Sequence, residues 1–294
     1  MIRLGVIGGS GLYELKGLEG IREKRIRTPF GSPSGVYRIG RLGEHELCFL
    51  PRHGAGHRLL PSEIPHRANI FGFKKLGVDA VVSISAVGSL RGPMRPRDVV
   101  LPDQYVDRTK SRDEQTFFGN GLVAHVAFGE PSCPVLRDAL AGLIRTMLRD
   151  DSGKRRLFSK GVYVNMEGPA FSTRAESLMY RRMGFDVIGM TSLAEAKLCR
   201  EAGLCYQTIA MVTDYDCWHR AKTPVTVDMI VGHLQANITL AHAILVRLPD
   251  VLARRRFDCT CGHALDNAIL TAPAAIPAAL RRILAPILGA RGAA

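Results

Sequence analysis

The chain has 294 residues, 46% of them hydrophobic, so it can bury a full core in one large α/β domain or two small ones without metals or crosslinks. Its formal charge is +13, yet the basic residues are scattered and aromatic residues make up only 6%, which favours a surface that attracts small anions over nucleic-acid binding. We find neither a signal peptide nor a run approaching about 18 apolar residues, and we therefore expect a cytoplasmic protein that does not span a membrane.

The seven cysteines are odd in number and mostly embedded in apolar runs, which predicts reduced, buried thiols. Cys259 and Cys261 form a CxC pair near the C-terminus. Because no second pair stands at zinc spacing, we predict no metal site, and a strained disulfide within the CxC pair remains an alternative. We expect Cys133 and Cys205 to be free, and the CxC pair to lie in a mobile tail where it could oxidise.

The first predicted element is a strand at residues 2–7 that runs into a glycine turn at residues 8–11. Glycines let backbone amides approach an anion closely, and Ser10 adds a hydroxyl donor. The glycine spacing does not match the GxGxxG of a dinucleotide fold, so we interpret the turn as a phosphate site.

A second predicted strand at residues 46–50 ends beside Arg52, His53 and His57. The guanidinium of Arg52 is a planar fork of donors that suits a phosphate, and the two imidazoles add donors. A single histidine is more often structural, but this cluster directly after a strand favours a binding site.

A third strand at residues 80–84 leads into the small residues 85–89, which permit another backbone nest with the hydroxyl of Ser85. The polar residues 107–121 form an excursion of the kind often used as a lid or a subunit contact. Further strands are predicted at 98–103, 161–167 and 186–190, and helices at 61–76 (ended by Gly77), 134–148, 174 onwards, 191–202 and 227–248.

Two turns in the second half of the chain carry candidate ligand contacts. Phe171 either fills the core or stacks on a base. Thr191 or Ser192 caps a helix and leaves backbone donors and the positive end of the helix dipole beside a strand tip.

The strongest signal is the pair Asp214 and Asp216, which follows the apolar run 206–212. This run is too short for an amphipathic helix and predicts a buried parallel strand. The carboxyl ends of such strands form the crevice where ligands bind, and Trp218 lies in the same stretch. In extended chain both carboxylates point to one side, where they could grip a flat heterocycle. A solvated loop is the alternative.

Eight collinear blocks then resemble a known family, the trimeric purine nucleoside phosphorylase superfamily, and within it the S-methyl-5'-thioadenosine phosphorylases. The blocks, spread between residue 5 and about residue 270, are Gly8-Gly9-Ser10-Gly11-Leu12, Thr28-Pro29-Phe30-Gly31, Arg52-His53-Gly54, Ser85-Ala86-Val87-Gly88-Ser89-Leu90, Asp103-Gln104-Tyr105-Val106-Asp107-Arg108-Thr109, Glu167-Gly168-Pro169-Ala170-Phe171-Ser172-Thr173-Arg174-Ala175-Glu176, Met190-Thr191 and Thr213-Asp214-Tyr215-Asp216-Cys217-Trp218.

The resemblance implies a single α/β domain at residues 1–255, with a twisted mixed sheet flanked by helices, and a helical tail at 256–294 that packs on the same domain. It implies phosphorolysis of S-methyl-5'-thioadenosine to adenine and 5-methylthioribose-1-phosphate, a purine and methionine salvage reaction that uses inorganic phosphate and no metal or organic cofactor. The alternative within the family is a broader phosphorylase of 6-oxo or 6-amino purine nucleosides, including methylthioinosine. A dinucleotide-dependent oxidoreductase and a nucleic-acid-binding protein are the alternatives from other classes.

The resemblance also gives each candidate residue a role. The phosphate ligands would be Ser10, Arg52, His53, Ser85, the Ala86 amide and Thr191. The substrate contacts would be Met190 and His57 at the ribose, Phe171 and Ser172 at the base, Asp216 at the purine's far edge, and Val227 and Ile230 at the methylthio group. Asp214 would be the catalytic acid. His125 would reach into a neighbour's site in a homotrimer or a dimer of trimers, from an excursion whose Phe117 and Phe118 form an apolar surface.

Overall fold

A computed structural model describes residues 1–9, 11–12, 15–111, 113–149, 151, 154–219, 227–255 and 257–292, with only the backbone described at 227–232, 234, 290 and 292. Within these residues one mixed sheet contains eleven strands. The strands are β1 (Arg3–Gly8), β2 (Glu19–Lys24), β3 (Tyr37–Leu42), β4 (His45–Pro51), β5 (Ala80–Ser89), β6 (Val99–Val100), β7 (Gln104–Arg108), β8 (Leu157–Phe158), β9 (Val162–Met166), β10 (Val187–Gly189) and β11 (Cys205–Asp214).

The helices of the described residues cover both faces of this sheet. They are α1 (His66–Leu76), α2 (Pro134–Leu148), α3 (Arg174–Arg182), α4 (Ser192–Glu201), α5 (Val227–Ala253), α6 (Ala278–Ile283) and α7 (Ala285–Leu288), with 3-10 turns at Pro61–Glu63, Cys261–His263, Pro273–Ala275 and Gly289–Gly292. The single α/β domain with a mixed sheet is therefore confirmed.

The centre of the sheet is parallel. Strand β1 lies between β4 and β5, and β5 also pairs in parallel with β11. Side chains alternate across it, because successive residues of a strand point to opposite faces. Leu4 and Val6 of β1 pack in one core cluster with α2 and α5, and Ile7 packs in another with α1 and α4. Burial on both faces explains why these strands are apolar runs.

Helix α5 contains the stretch Gln235–Ala253, which is long and apolar enough to cross a membrane by length and composition alone. In the fold, 44% of that window is buried against the protein. Its buried face, which includes Leu240, Ile244 and Leu248, packs in the same cluster as α2 and β11. An apolar face that meets the core accounts for the hydropathy of this helix.

The predicted nest at residues 85–89 is wrong, because β5 continues through them. Ser85 and Val87 pair with β11, and Gly88 pairs with Ile188 of β10. The small residues serve packing instead: a Cβ at Gly88 would lie 3.0 Å from Cγ2 of Ile188 and 3.1 Å from Oδ1 of Asp214. The backbone amides of this segment belong largely to the sheet.

Other boundaries differ for local reasons. The helix predicted from residue 61 begins at His66, because Pro65 has no amide hydrogen to continue a helix across it. It ends as predicted at Gly77, which has the left-handed φ of 67°. The sequence analysis does not predict strands β2, β3, β7 and β8. In β2 all six residues are exposed, so that strand has no apolar alternation to reveal it.

Residues of the C-terminal tail pack against the rest of the domain. Leu265, Ile276 and Leu284 are buried in the cluster that contains α1. Cys261 is only 2% exposed, so the expected mobile position of the CxC pair is wrong. All seven cysteines lie in the described residues as free thiols, and five of them are buried, which confirms the predicted burial.

A substitution at Gly72 tests how closely α1 packs on β3. A Cβ at Gly72 would lie 2.0 Å from the hydroxyl oxygen of Tyr37, which is fully buried and donates to the Asn69 carbonyl at 2.7 Å. We expect Gly72→Ala to lower the free energy of unfolding by roughly 1–3 kcal/mol in urea denaturation. Gly92→Ala is the matched control, since no atom of the described residues comes within 4 Å of a Cβ there. Equal losses in the two variants would contradict this packing.

Candidate active site

A cavity of about 480 Å³ opens where the carboxyl ends of β4, β10 and β11 meet the second half of β5. Its size is typical of a pocket for a small molecule, and its position is the one that the strand-end argument predicts. The predicted site residues that line it are Arg52, His53, His57, Ser85, Ala86, Phe171, Met190, Thr191, Asp214 and Asp216.

Two predicted site residues are not among the residues that line this cavity. The hydroxyl of Ser172 lies 3.7 Å from the sulfur of Met166, so Ser172 contacts a residue that lines the cavity without lining it itself. His125 is exposed on a segment whose amide bonds to the Ala268 carbonyl at 2.8 Å. The remaining three predicted contacts, which are Ser10 and the side chains of Val227 and Ile230, lie outside the described residues.

Arg52 is the buried cation of the cavity. Its Nε donates to Oε1 of Glu195 at 2.6 Å, and its two terminal nitrogens donate to the Ile84 carbonyl at 3.0 Å and to the Ser83 hydroxyl at 2.6 Å. Burial alone would raise the pKa of Glu195, but the Arg52 guanidinium outweighs it and holds that pKa below its usual range. Of the five N–H groups of Arg52, two remain for a ligand in the cavity.

His53 is an acceptor in this environment. Its Nδ1 lies 2.8 Å from the Leu59 carbonyl, which can only accept, so we assign the ring hydrogen to Nδ1. Burial lowers the pKa of His53 to about 4, and the ring is therefore neutral at pH 7. Its Nε2 then accepts a hydrogen bond, in contrast to the donor role expected from the sequence. The ring stacks on His57 with 4.2 Å between centroids.

The N-terminus of α4 directs the positive end of its helix dipole toward the same cavity, which Thr191 lines. Thr191 caps this helix and lines the cavity, and within the described residues its hydroxyl makes no capping hydrogen bond. Asn165 of β9 fixes the turn, because its amide nitrogen donates to the Met190 carbonyl at 3.1 Å and its oxygen accepts from the Leu193 amide at 3.1 Å. A helix N-terminus held in this way binds anions.

Asp214 and Asp216 face the cavity through a turn and not through an extended segment. Asp214 is the last residue of β11, and Asp216 has a φ of 50°, so the extended i, i+2 geometry expected from the sequence is wrong. The turn places the Asp216 amide 2.8 Å from Oδ1 of Asp214, and the Ser177 hydroxyl donates to Oδ2 of Asp216 at 2.5 Å. Burial raises the pKa of both carboxyl groups.

The hydroxyl of Thr213 can accommodate either protonation state of Asp214. It lies 2.7 Å from Oδ2 of Asp214 and 3.2 Å from the Val87 carbonyl oxygen. A hydroxyl has one hydrogen and can accept as well as donate. It donates to an ionised Asp214, and when it donates to Val87 instead, it can accept from a protonated Asp214.

Several residues near the site gave no sequence signal. Glu195 lies 143 residues from its partner Arg52, and Ser177 and Asn165 act only through the residues that they hold. The sequence predicts that Trp218 lies near the site. Trp218 is not among the residues that line the cavity, and it supports the site from outside. Its ring nitrogen donates to the Ser89 carbonyl at 2.7 Å, and the Arg181 guanidinium lies 3.3 Å from its ring centroid.

Comparison with known proteins gives a consistent result. The Phosphorylase superfamily matches residues 3–248. The chain is 50% identical over 288 residues to the S-methyl-5'-thioadenosine phosphorylase of Koribacter versatilis, with 97% of this chain and 95% of that protein covered. The structure of a methylthioadenosine phosphorylase from an antarctic soil metagenomic library matches with a TM-score of 0.91 and 44% identity, covering 98% and 99% of the two chains. A methylthioadenosine phosphorylase of Schistosoma mansoni, solved in complex with adenine, gives a TM-score of 0.85, 31% identity and coverage of 92% and 100%.

Glu195→Ala tests the buried ion pair. The variant leaves the Arg52 guanidinium buried without its counter-charge, and we expect the free energy of unfolding to fall by about 3–5 kcal/mol in chemical denaturation. The matched control is Glu114→Ala, because Glu114 pairs with Arg67 at a site where the side chains are 32% and 29% exposed, and such pairs contribute about 0–1 kcal/mol.

The pH dependence of this pair has a defined sign. Because the pKa of Glu195 is lowered in the folded protein, its contribution is fully present above the ordinary glutamate pKa of about 4.3 and is lost as the pH falls through the lowered value. A loss for Glu195→Ala no larger than that for Glu114→Ala at neutral pH would contradict the account.

Proposed function

Because the chain belongs to the Phosphorylase superfamily and, within it, to the S-methyl-5'-thioadenosine phosphorylases, we propose that it cleaves S-methyl-5'-thioadenosine with inorganic phosphate. The products are adenine and 5-methylthioribose-1-phosphate, so the enzyme is a pentosyltransferase. The observation that carries the proposal is one cavity that joins an anion site, built from Arg52 and the N-terminus of α4, to two carboxyl groups, the buried Asp216 and the half-buried Asp214. No metal or organic cofactor is required, because phosphate is the nucleophile.

The anion site holds the phosphate. Two N–H groups of Arg52, the hydroxyls of Ser85 and Thr191, and the positive end of the α4 dipole are available to it. Neutral His53 accepts from a protonated phosphate oxygen. Phosphate oxygen attacks the anomeric carbon while the bond to N9 of adenine breaks, and the negative charge of the phosphate stabilises the oxocarbenium character of the ribose.

Asp214 supports the departure of the base. Adenine anion is a poor leaving group, so N7 requires a proton or a strong hydrogen bond as the glycosidic bond breaks. Burial raises the pKa of Asp214 and thereby favours the protonated form, and Thr213 can hold that form. Asp216 accepts from the 6-amino group through Oδ1, since Oδ2 is engaged by Ser177.

Asp214→Asn tests the reaction and the acid together. We expect turnover, measured as phosphate-dependent release of free adenine, to fall by about 10²–10⁴-fold, with Asp214→Ala no milder. Asp250→Asn is the control, because its carboxyl side chain is 70% exposed on α5. Near-normal turnover by Asp214→Asn would assign the proton to another group.

We further propose that the working unit is a trimer or a pair of trimers, in which His125 completes a neighbour's site. Its surroundings support this, because Val123 and Leu270 are 48% and 66% exposed and lie together through a 2.9 Å backbone hydrogen bond. Apolar side chains grouped on a surface mark interaction sites. The apolar surface expected from Phe117 is wrong, since that ring is 3% exposed and packs 5.3 Å from Phe30 within the chain.

Mixed oligomers test this arrangement. Subunits with Asp214→Asn and subunits with His125→Ala are each impaired, but a site that takes Asp214 from its own chain and His125 from the neighbour is intact in some mixed assemblies. By random 1:1 mixing about a quarter of the sites regain both groups, and activity rises above the average of the two parents. No rise on co-expression, or a fully active monomer in sedimentation, would contradict the proposal.

A further inference from the structure

Four cysteines that are scattered in the sequence converge at the amino end of β11. Their sulfur atoms all lie within 4.8 Å of one another, and those of Cys205 and Cys259 are 3.3 Å apart. Cys133 caps α2, Cys205 begins β11, and Cys259 and Cys261 come from the tail. Cys133 and Cys205 are far from the CxC pair in the sequence, so spacing alone predicts no metal site, but the fold brings them beside it as a second pair.

We propose that these four cysteines bind one Zn²⁺ ion as a closed structural site. Zinc binds thiolates at about 2.3 Å, which places the four sulfurs of a tetrahedral site about 3.8 Å apart. The sulfurs therefore reach this geometry by side-chain movements of less than about an ångström. A disulfide joins two sulfurs at about 2.05 Å, whereas these four cysteines, all in the described part of the chain, are free thiols whose sulfurs lie within 4.8 Å of one another.

The surroundings suit a closed tetrathiolate site. Cys133, Cys205 and Cys261 are buried and Cys259 is half-buried, so four protein ligands would enclose the ion and leave no position for a substrate. Binding releases the thiol protons and leaves the zinc and four thiolates with a net charge of −2. The Leu136 amide, 3.5 Å from the sulfur of Cys133, and the positive end of the 15-residue helix α2 face that charge.

The ion would fasten the tail to the strand that carries the catalytic acid. Cys205 and Asp214 stand at opposite ends of β11, roughly 30 Å apart at the rise of a β-strand. The site is thus separate from the cavity, and its occupancy acts on stability and not on the chemical step. The inference does not depend on the proposed reaction.

Cobalt substitution of the whole chain tests the site. The protein is purified under a phosphine reductant, treated with a chelator and titrated with Co²⁺. We expect one cobalt per chain, with the thiolate-to-cobalt charge-transfer band and the intense visible bands of tetrahedral cobalt, and equimolar Zn²⁺ should displace it.

Two variants separate the cluster from other thiols. Cys259→Ser, the least buried of the four, should weaken cobalt binding by roughly tenfold or more and should remove the rise in Tm that Zn²⁺ gives the wild type. Cys48→Ala is the control, since Cys48 is fully buried in β4 outside the cluster, and it should bind like the wild type. Circular dichroism verifies that each variant is folded.

The proposal is overturned if the wild-type chain gives no thiolate-to-cobalt band under reductant, a result that does not depend on any variant. It is also overturned if alkylation and mass measurement of protein purified without reductant or chelator show these four cysteines as paired disulfides, or as four thiols with no bound zinc. One zinc per chain in that preparation, protecting the four cysteines from alkylation, supports it.

Discussion

The buried ion pair between Arg52 and Glu195 is the interaction on which the site depends. Two charges taken out of water stabilise a fold only when each is fully paired, and here the guanidinium also donates to the Ser83 hydroxyl and the Ile84 carbonyl. The pair therefore joins the turn after β4, the middle of β5 and the first turn of α4. It holds a guanidinium edge and a helix N-terminus toward the same cavity, which is the arrangement that the proposed phosphate site requires.

The second half of the site depends on a tight turn after β11. The amide of Asp216 reaches back to Asp214, and Ser177 holds the other carboxyl group, so both acids face the cavity in fixed positions. Burial raises the pKa of both groups and so favours the protonated form of Asp214, while the hydrogen bond from Ser177 favours the charged form of Asp216. In the proposed reaction, these two carboxyl groups of the same type take different roles at the two edges of the purine.

The sequence predicts those features of the fold and the site that depend on residues adjacent in the chain. An apolar run that ends in acids indicated a buried strand with functional side chains at its tip, and β11 has that form. Residues 85–89 show where such reasoning ends, because small residues suit an anion nest and a tightly packed strand equally well, and only the pairing with β10 and β11 decides between them. Neither the pairing of Glu195 with Arg52 nor the four-cysteine cluster could be predicted from the sequence. In both cases the residues that meet are distant in the chain, and no spacing rule relates them.

The central proposal is that one cavity places a phosphate-binding site next to a carboxyl group that assists the departure of adenine. Its most direct test is the release of free base from methylthioadenosine and from methylthioinosine, each measured with and without inorganic phosphate. The account predicts that adenine is released only when phosphate is present, and that methylthioadenosine is preferred by roughly 10⁴-fold, because an ionised Asp216 accepts from a 6-amino group and repels a 6-oxo group. Phosphate-independent cleavage, or comparable turnover of the two nucleosides, would contradict it.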